Sequence, residues 1–325
     1  MKARGVQCML VLVMAGAALP AVTCAQNYPT KAIRLIVPFP PGGSTDLVGR
    51  VLGAKLGEAF AQQVVMENRP GASGMIGNEL VARAAPDGYT LTMGTIGAMS
   101  VNVSLFKSVP YDPTRDFAPV TLTGNVENLL VVHPSLPVKN VKELIALAAG
   151  KPGTLSFASS GIGNAPHLAG ELFNQLAKVK MVHVPYKGGG PAMIDLVGGQ
   201  VSLSFASMPS SLPFAKGGKL RALAVGGAER SPAAPEIPTV AESGLPGFAV
   251  IDWQGLLAPA KTPAAVINRL NQESARILNE REVKERLSAA GLQVVTNTPA
   301  QFADFIRAEI EKWGKVIRAA GIKSE

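Results

Sequence analysis

The chain has 325 residues, a formal net charge of +8 at neutral pH and only 5% aromatic residues. Its Lys and Arg residues are scattered and form no basic run of five, which argues against a nucleic-acid-binding protein. A chain of this length can bury a core in each of two lobes without needing a disulfide or a metal for stability.

The N-terminal segment has the order of a secretory signal peptide. Two basic residues precede a short apolar run, and small residues follow up to Ala25. The run is shorter than the roughly 20 apolar residues that span a bilayer. We therefore expect residues 1–25 to be removed and the mature protein to be exported to the periplasm. Lipidation at Cys24 is the alternative. Because Cys8 and Cys24 are the only cysteines, the mature chain would carry no disulfide.

Short apolar runs alternate with helical patterns along the rest of the chain. Strands are predicted at 33–39, 62–68, 89–95, 128–135, 155–160, 180–186, 201–206 and 220–226. Helices are predicted at 45–56, 74–84, 141–149, 165–177, 191–197 and 298–321. The Pro- and Gly-rich segment 226–248 is predicted to be an irregular crossing. This rhythm, which restarts after the strand at 128–135, predicts two α/β lobes, each a mainly parallel sheet flanked by helices.

The stretch "VPFPPGGSTD" lies where the first predicted strand ends and the first predicted helix begins. The free amide hydrogens and the positive dipole end of that helix, together with the hydroxyls of Ser44 and Thr45, could hold a carboxylate. The stretch has neither the Walker nor the dinucleotide-binding spacing of glycines. On this local pattern alone, an ordinary helix cap explains the turn equally well.

A second turn of the same kind, "FASSGIGNAPHL", belongs to the other lobe. It runs from a strand through Ser159, Ser160 and Asn164 into a helix. Ligands of α/β sheets bind where strands end and helices begin, so two such turns could hold a small anion between the lobes. The glycine-rich entries "RPGASGMIG" and "VPYKGGGPA" could also line this cleft.

Catalytic and metal-binding patterns are poor. The three histidines have no metal-ligand spacing, and "ASSGIG" lacks the order of a nucleophile elbow. Asp252, at the start of the strand "DWQGLLAP", is expected to be solvated. We therefore expect no catalytic residue, no metal and no cofactor.

Eight segments spread over the whole mature chain resemble the extracytoplasmic solute receptors of tripartite tricarboxylate transporters, the Bug family. They are "YPTKAIRLIVPFPPGGSTD", "ENRPGASGMIGNELVARAAPDGYTL", "PYDPTRDFAPVTL", "HLAGELF", "VHVPYKGGGPAMIDLVGGQV", "GKLRALAV", "RSPAAPEIPTVAESGLPGF" and "GLLAPAKTP". The resemblance implies a two-lobed periplasmic-binding-protein fold of the Venus flytrap type II. Lobe 1 would comprise residues 26–124 and 226–325, and lobe 2 residues 125–225.

The resemblance also implies a function and a set of binding residues. Such receptors close on a small carboxylate and deliver it to a membrane permease, without catalysis. The ligand-binding positions implied are Phe39, Gly43, Ser44, Thr45 and Asp46 in lobe 1 and Ser159, Ser160 and Asn164 in lobe 2. Two further segments should face the cleft, which adds Thr95, Met99, Ala206 and Ser207.

The chain departs from the family pattern in both of these segments. Members often carry Thr-His where this chain has Ala98-Met99, and Asp-Asn where it has Ala206-Ser207. The loss of a carboxylate at 206 removes a partner for a ligand amine, and Met99 adds an apolar wall. A compact mono- or dicarboxylate, aromatic ones included, is therefore favoured over an amino acid or a tricarboxylate. A packing role for both positions is the alternative.

Two other functions stay open at this point. A periplasmic hydrolase or isomerase on the same fold would need a pair of titratable groups in the cleft, and the first turn supplies one acid, Asp46. A partnership with a membrane sensor would replace the permease. The expected partners are thus a small organic carboxylate and a membrane protein, with no nucleic acid, and the protein is expected to be a monomer.

Overall fold

The computed structural model describes residues 28–320, and the predicted signal peptide with Cys24 lies outside them. The strands are β1 (Ile33–Val37), β2 (Val64–Asn68), β3 (Thr90–Thr95), β4 (Phe117–Val126), β5 (Asn128–Val132), β6 (Ser156–Ser159), β7 (Val182–Pro185), β8 (Leu203–Ser207), β9 (Arg221–Val225), β10 (Asp252–Pro259) and β11 (Leu292–Gln293). The helices are α1 (Ser44–Phe60), α2 (Met75–Ala82), α3 (Asn102–Leu105), α4 (Val141–Gly150), α5 (Ala165–Ala177), α6 (Gly189–Val197), α7 (Met208–Lys216), α8 (Ala264–Leu278), α9 (Arg281–Ala289) and α10 (Pro299–Ala320). In the sequence, prolines and glycines interrupt the patterns of β4 and α7, which is why neither was predicted.

Within residues 28–320 the strands form two sheets, each covered by helices. The first has the order β11-β4-β10-β3-β1-β2 and the second the order β7-β6-β8-β5-β9. The predicted two-lobed α/β fold is confirmed. The sheets are mixed, however, because β10 runs antiparallel to β3 and β4, and β5 runs antiparallel to β8 and β9. Both strands enter their sheet directly from the other lobe, without the crossover helix that a parallel connection needs.

The chain crosses between the sheets twice. It passes from β4 to β5 through Glu127, and it returns from β9 to β10 through the segment 226–251, which contains no helix and no named strand. This segment packs on the second sheet: the Gly226 amide donates to the Asn128 carbonyl at 2.7 Å, and the Phe248 ring stacks on Phe205 at 5.6 Å. We therefore propose that the second lobe boundary lies near residue 251, beyond the predicted 225.

Buried side chains fix the direction in which each turn faces. In α1, Val48, Leu52 and Leu56 recur at a spacing of four and are fully buried against the first sheet. In the second lobe, α5 lies directly on β6, because a side chain at Gly170 would collide with the Phe157 ring. These packings hold the strand-to-helix turns at the carboxyl edges of both sheets. None of the helices within residues 28–320 combines the length and apolar composition needed to cross a bilayer.

Candidate functional site

A cavity lies between the two lobes, where the carboxyl ends of β1, β6 and β8 face each other. Its empty space amounts to about 570 Å³ when the open space at its mouth is counted. Its lining residues are Phe39, Gly43, Ser44, Thr45, Thr95, Ser160, Asn164, Ala165, Pro166, Gly189, Ala192, Met193, Ser204, Ala206, Ser207, Ser210 and Asp252.

Four helices begin at this cavity, α1 from the first lobe and α5, α6 and α7 from the second. Their N-cap residues are Gly43, Asn164, Gly188 and Ser207, and none of these side chains caps its helix with a hydrogen bond. The first-turn amide hydrogens are therefore left without a side-chain acceptor. Since each helix also places the positive end of its dipole here, the cavity is suited to bind an anion from two sides.

The β1–α1 turn is braced by a charged side chain. Gly42 has a φ of +89°, a left-handed conformation that glycine adopts without strain. The Asp46 carboxylate accepts hydrogen bonds from the Gly42 amide at 3.2 Å, from Arg50 Nε at 2.9 Å and from Asn68 Nδ2 at 3.0 Å. Burial alone would raise the pKa of Asp46, but these hydrogen bonds outweigh it and hold the pKa below its usual value.

Two hydroxyl groups on this side of the cavity are available to a ligand. Gln254 Nε2 donates to Ser44 Oγ at 2.8 Å, so the hydroxyl proton of Ser44 is free to bond elsewhere. The Oγ1 atom of Thr95 is buried and has no hydrogen-bond partner among the described residues. A buried hydroxyl without a partner is costly, and a ligand oxygen would satisfy it.

The β6–α5 turn is braced by two neutral imidazoles. Ser159 Oγ lies 2.6 Å from His183 Nε2 and accepts the Gly161 amide at 3.2 Å. His167 Nδ1 accepts the Gly163 amide at 3.1 Å, and the two rings stack with centroids 4.1 Å apart. Burial lowers the pKa of His167 to about 4, while burial and the neighbouring His167 lower the pKa of His183 to about 3. Both rings are therefore uncharged at neutral pH.

The Ser159–His183 distance is also that of a nucleophile and its general base. Ser159 is fully buried, however, and does not line the cavity. Its hydroxyl oxygen lies within its own turn, against Gly161. The pair therefore shapes the turn and is not placed to attack a bound molecule.

Nine of the twelve predicted site residues line the cavity, and three do not. Asp46 and Ser159 lie behind their turns, where they hold the backbone, and Met99 is fully buried in the core beside Gly94. Sequence position alone does not show which side chains of a turn or of a helix start face the cavity, so these three could not be told from their neighbours. The ligand-binding role of the other nine stays a prediction.

The sequence analysis missed several lining residues, of which Asp252 matters most. It was expected to be solvated, but it is only 9% exposed and faces the cavity. Its strand alternates, so Trp253 turns to the opposite face, where its ring nitrogen donates to Glu309 at 3.1 Å. The alternation of polar Asp252 and Gln254 was the available signal. Within residues 28–320, no cluster of side chains could hold a metal ion.

Comparison with known proteins agrees with this geometry. The profile of the family described as "Tripartite tricarboxylate transporter family receptor" matches residues 48–322. Protein BugT of Bordetella pertussis is 40% identical over 311 residues, which cover 95% of each chain. The structure "R. palustris Rpa4515 with adipate" is 38% identical with a TM-score of 0.89, covering 91% of this chain and 99% of that one.

A further solved structure extends the comparison to a second bound carboxylate. "MatC (Rpa3494) from Rhodopseudomonas palustris with bound malate" is 35% identical with a TM-score of 0.84, covering 89% of this chain and all of the other. The family description names a receptor, and the two related structures hold a carboxylate, adipate in one and malate in the other. The chain therefore belongs to the family of tripartite tricarboxylate transporter receptors, which includes the Bug proteins.

Proposed function

We propose that this protein is a periplasmic receptor that captures a small organic carboxylate between its lobes and delivers it to a tripartite tricarboxylate-type permease. The observation that carries the proposal is the meeting of four helix N-termini, from both lobes, at one cavity that no Lys, Arg or His of the described residues lines. Backbone amides and hydroxyls would hold the ligand. The adipate and malate bound to related proteins support the same ligand class.

Closure would depend on the ligand touching both lobes at once. The lobes also approach each other closely where two glycines of the second lobe face two prolines of the first. A Cβ atom at Gly188 would lie 2.5 Å from the Pro40 ring, and one at Gly190 would lie 3.0 Å from the Pro41 carbonyl oxygen. A ligand stabilises the closed form only by the contacts that it makes in the closed form and not in the open one. The protein would act as a monomer, exported with its signal peptide removed near Ala25.

A binding screen tests this function. The screen contains monocarboxylates, dicarboxylates and amino acids. We expect at least one of them to raise the melting temperature of the mature protein, because a ligand that binds only the folded state stabilises it. The Ser44→Ala substitution should then weaken binding by about 1.5 to 3 kcal/mol, or roughly ten- to a hundredfold, in calorimetric titration. Ser108→Ala, at an exposed position away from the cavity, is the matched control. No shift with any acid, or catalytic turnover of one, would contradict the proposal.

A further inference from the structure

The carboxyl group of Asp252 is the one ionisable side chain among the residues that line the cavity. It begins β10, immediately after the second crossing, and its strand partner on β4 is Val126. Ser207, on the other lobe, pairs with Asn128 at the start of β5. Since Val126 and Asn128 are separated only by Glu127, Asp252 and Ser207 lie on the hinge side of the cavity.

Asp252 has no partner within residues 28–320. It makes no hydrogen bond or ion pair there, although it is nine-tenths buried. Three hydroxyls of the lining are engaged elsewhere: Ser207 Oγ and Ser210 Oγ bond each other at 2.8 Å, and Ser204 donates to the Ala158 carbonyl at 2.8 Å. Burial raises the pKa of Asp252 to about 7. A buried carboxylate without a partner is costly, and a cation that reaches it removes that cost.

Charged groups on the neighbouring elements do not supply this cation. On α1 the cation Arg50 is paired with Asp46, and the other two groups are acidic themselves. Glu127, on the crossing, lines a separate cavity, and Glu309 of α10 bonds the ring of Trp253 on the opposite face of β10. The cavity therefore combines helix N-termini, which attract an anion, with one carboxyl group, which attracts a cation.

We propose that Asp252 recognises a positively charged nitrogen of the ligand, so that the receptor selects zwitterions that carry both a carboxylate and an ammonium group. This inference rests on the proposed function, since the ligand carboxylate must occupy the two turns. It reverses the expectation drawn from Ala206, because the carboxylate absent there is supplied by Asp252 on the facing lobe. Selection follows because a purely anionic ligand would meet a like charge at Asp252.

The test compares two series of probes by calorimetric titration at pH 8. One series contains ω-amino acids of three to six carbons and L-amino acids, and the other contains dicarboxylates of the same carbon numbers. We expect the wild-type protein to bind a member of the first series, and Asp252→Asn to weaken that binding at least about 30-fold. Glu229→Gln removes an exposed carboxylate outside the cavity and should leave the affinity unchanged. Lowering the pH to 5.5 should weaken wild-type binding roughly 30-fold, because only the ionised Asp252 is competent.

Three results would overturn the inference, and they can be told apart. If zwitterions bind equally well to wild type and Asp252→Asn, the carboxyl group does not recognise the nitrogen while the carboxylate receptor stands. If only dicarboxylates bind, more tightly at pH 5.5 and without loss in Asp252→Asn, the group acts as a neutral donor. If neither series binds the folded wild-type protein, the inference fails, and the proposed function fails with it only if monocarboxylates also leave the melting temperature unchanged. Melting temperatures of all variants show whether each protein is folded.

Discussion

The two turns that face each other across the cavity have the same local form but different supports. In the β1–α1 turn, a buried carboxylate, Asp46, gathers the Gly42 amide, Arg50 and Asn68. In the β6–α5 turn, two stacked imidazoles bond the hydroxyl of Ser159 and the amide of Gly163. The carboxylate holds the first turn because it is ionised, whereas the imidazoles hold the second turn because they are neutral.

An anion-binding turn made of backbone amides therefore needs side chains that hold its backbone in place, and these side chains can be either charged or neutral. The difference also gives the two lobes opposite sensitivities. Loss of a charge should loosen the first turn, whereas gain of a charge should loosen the second. The following predictions test that contrast.

Removal of the Asp46 carboxylate should have the largest effect. Asp46→Ala abolishes four hydrogen bonds, two of them from Arg50, and we expect the free energy of unfolding to fall by about 3 kcal/mol. Arg50 contributes little to this loss, because its side chain is 55% exposed and screened by solvent. Asp46→Asn keeps the shape of the side chain but removes its charge, and should cost at least about half as much. Urea unfolding measures both losses, and a loss near zero in Asp46→Asn would show that the charge is unimportant to the brace.

Acid should affect the second turn through its histidines. An unfolded histidine has a pKa near 6.5, whereas His167 has a pKa of about 4 in the folded protein, so the unfolded state binds the proton first. The stability that the neutral ring provides is thus complete above pH 6.5 and is lost as the pH falls towards 4. His167→Gln keeps an acceptor for the Gly163 amide and does not titrate.

The measurement is the difference in unfolding free energy between wild type and His167→Gln. We expect the wild type to lose about 2 kcal/mol relative to this variant between pH 6.5 and pH 5. Asp252 also titrates in this range, but in the opposite sense: its pKa is raised to about 7, so its contribution to stability is lost as the pH rises from about 4 to about 7. Because Asp252 is present in both proteins, the difference between them removes its contribution. A difference that does not vary with pH would mean that His167 is not held neutral.

The smallest expected effect distinguishes two neighbouring serines of the β6–α5 turn, one that supports the turn and one that faces the cavity. Ser159→Ala leaves His183 Nε2 and the Gly161 amide without their partner and should cost about 1 to 2 kcal/mol of stability. Ser160→Ala removes a hydroxyl that lines the cavity and should weaken carboxylate binding with little change in stability. Chemical unfolding and calorimetric titration of both variants check this. A stability loss confined to Ser160→Ala would reverse the assignment of the two serines.

Much of the fold could be predicted because its signals are local. The apolar spacing of Val48, Leu52 and Leu56 and the glycines before α1 are read within a few residues of the chain. The mixed direction of the sheets could not be predicted in this way. The direction of β5 and β10 depends on which lobe the chain comes from, and this is a property of the whole path.

The sequence by itself determined that two glycine-rich turns begin helices in two α/β lobes, and that the chain resembles carboxylate receptors. Only the tertiary structure decided which side chains of those turns reach the cavity. Ser44 meets Gln254 across 210 positions of sequence, and Asp252 is buried among residues of both lobes. The alternation of Asp252 and Gln254 indicates that they share a face of their strand, but not what that face meets, because burial and hydrogen bonding between distant segments depend on how the lobes pack.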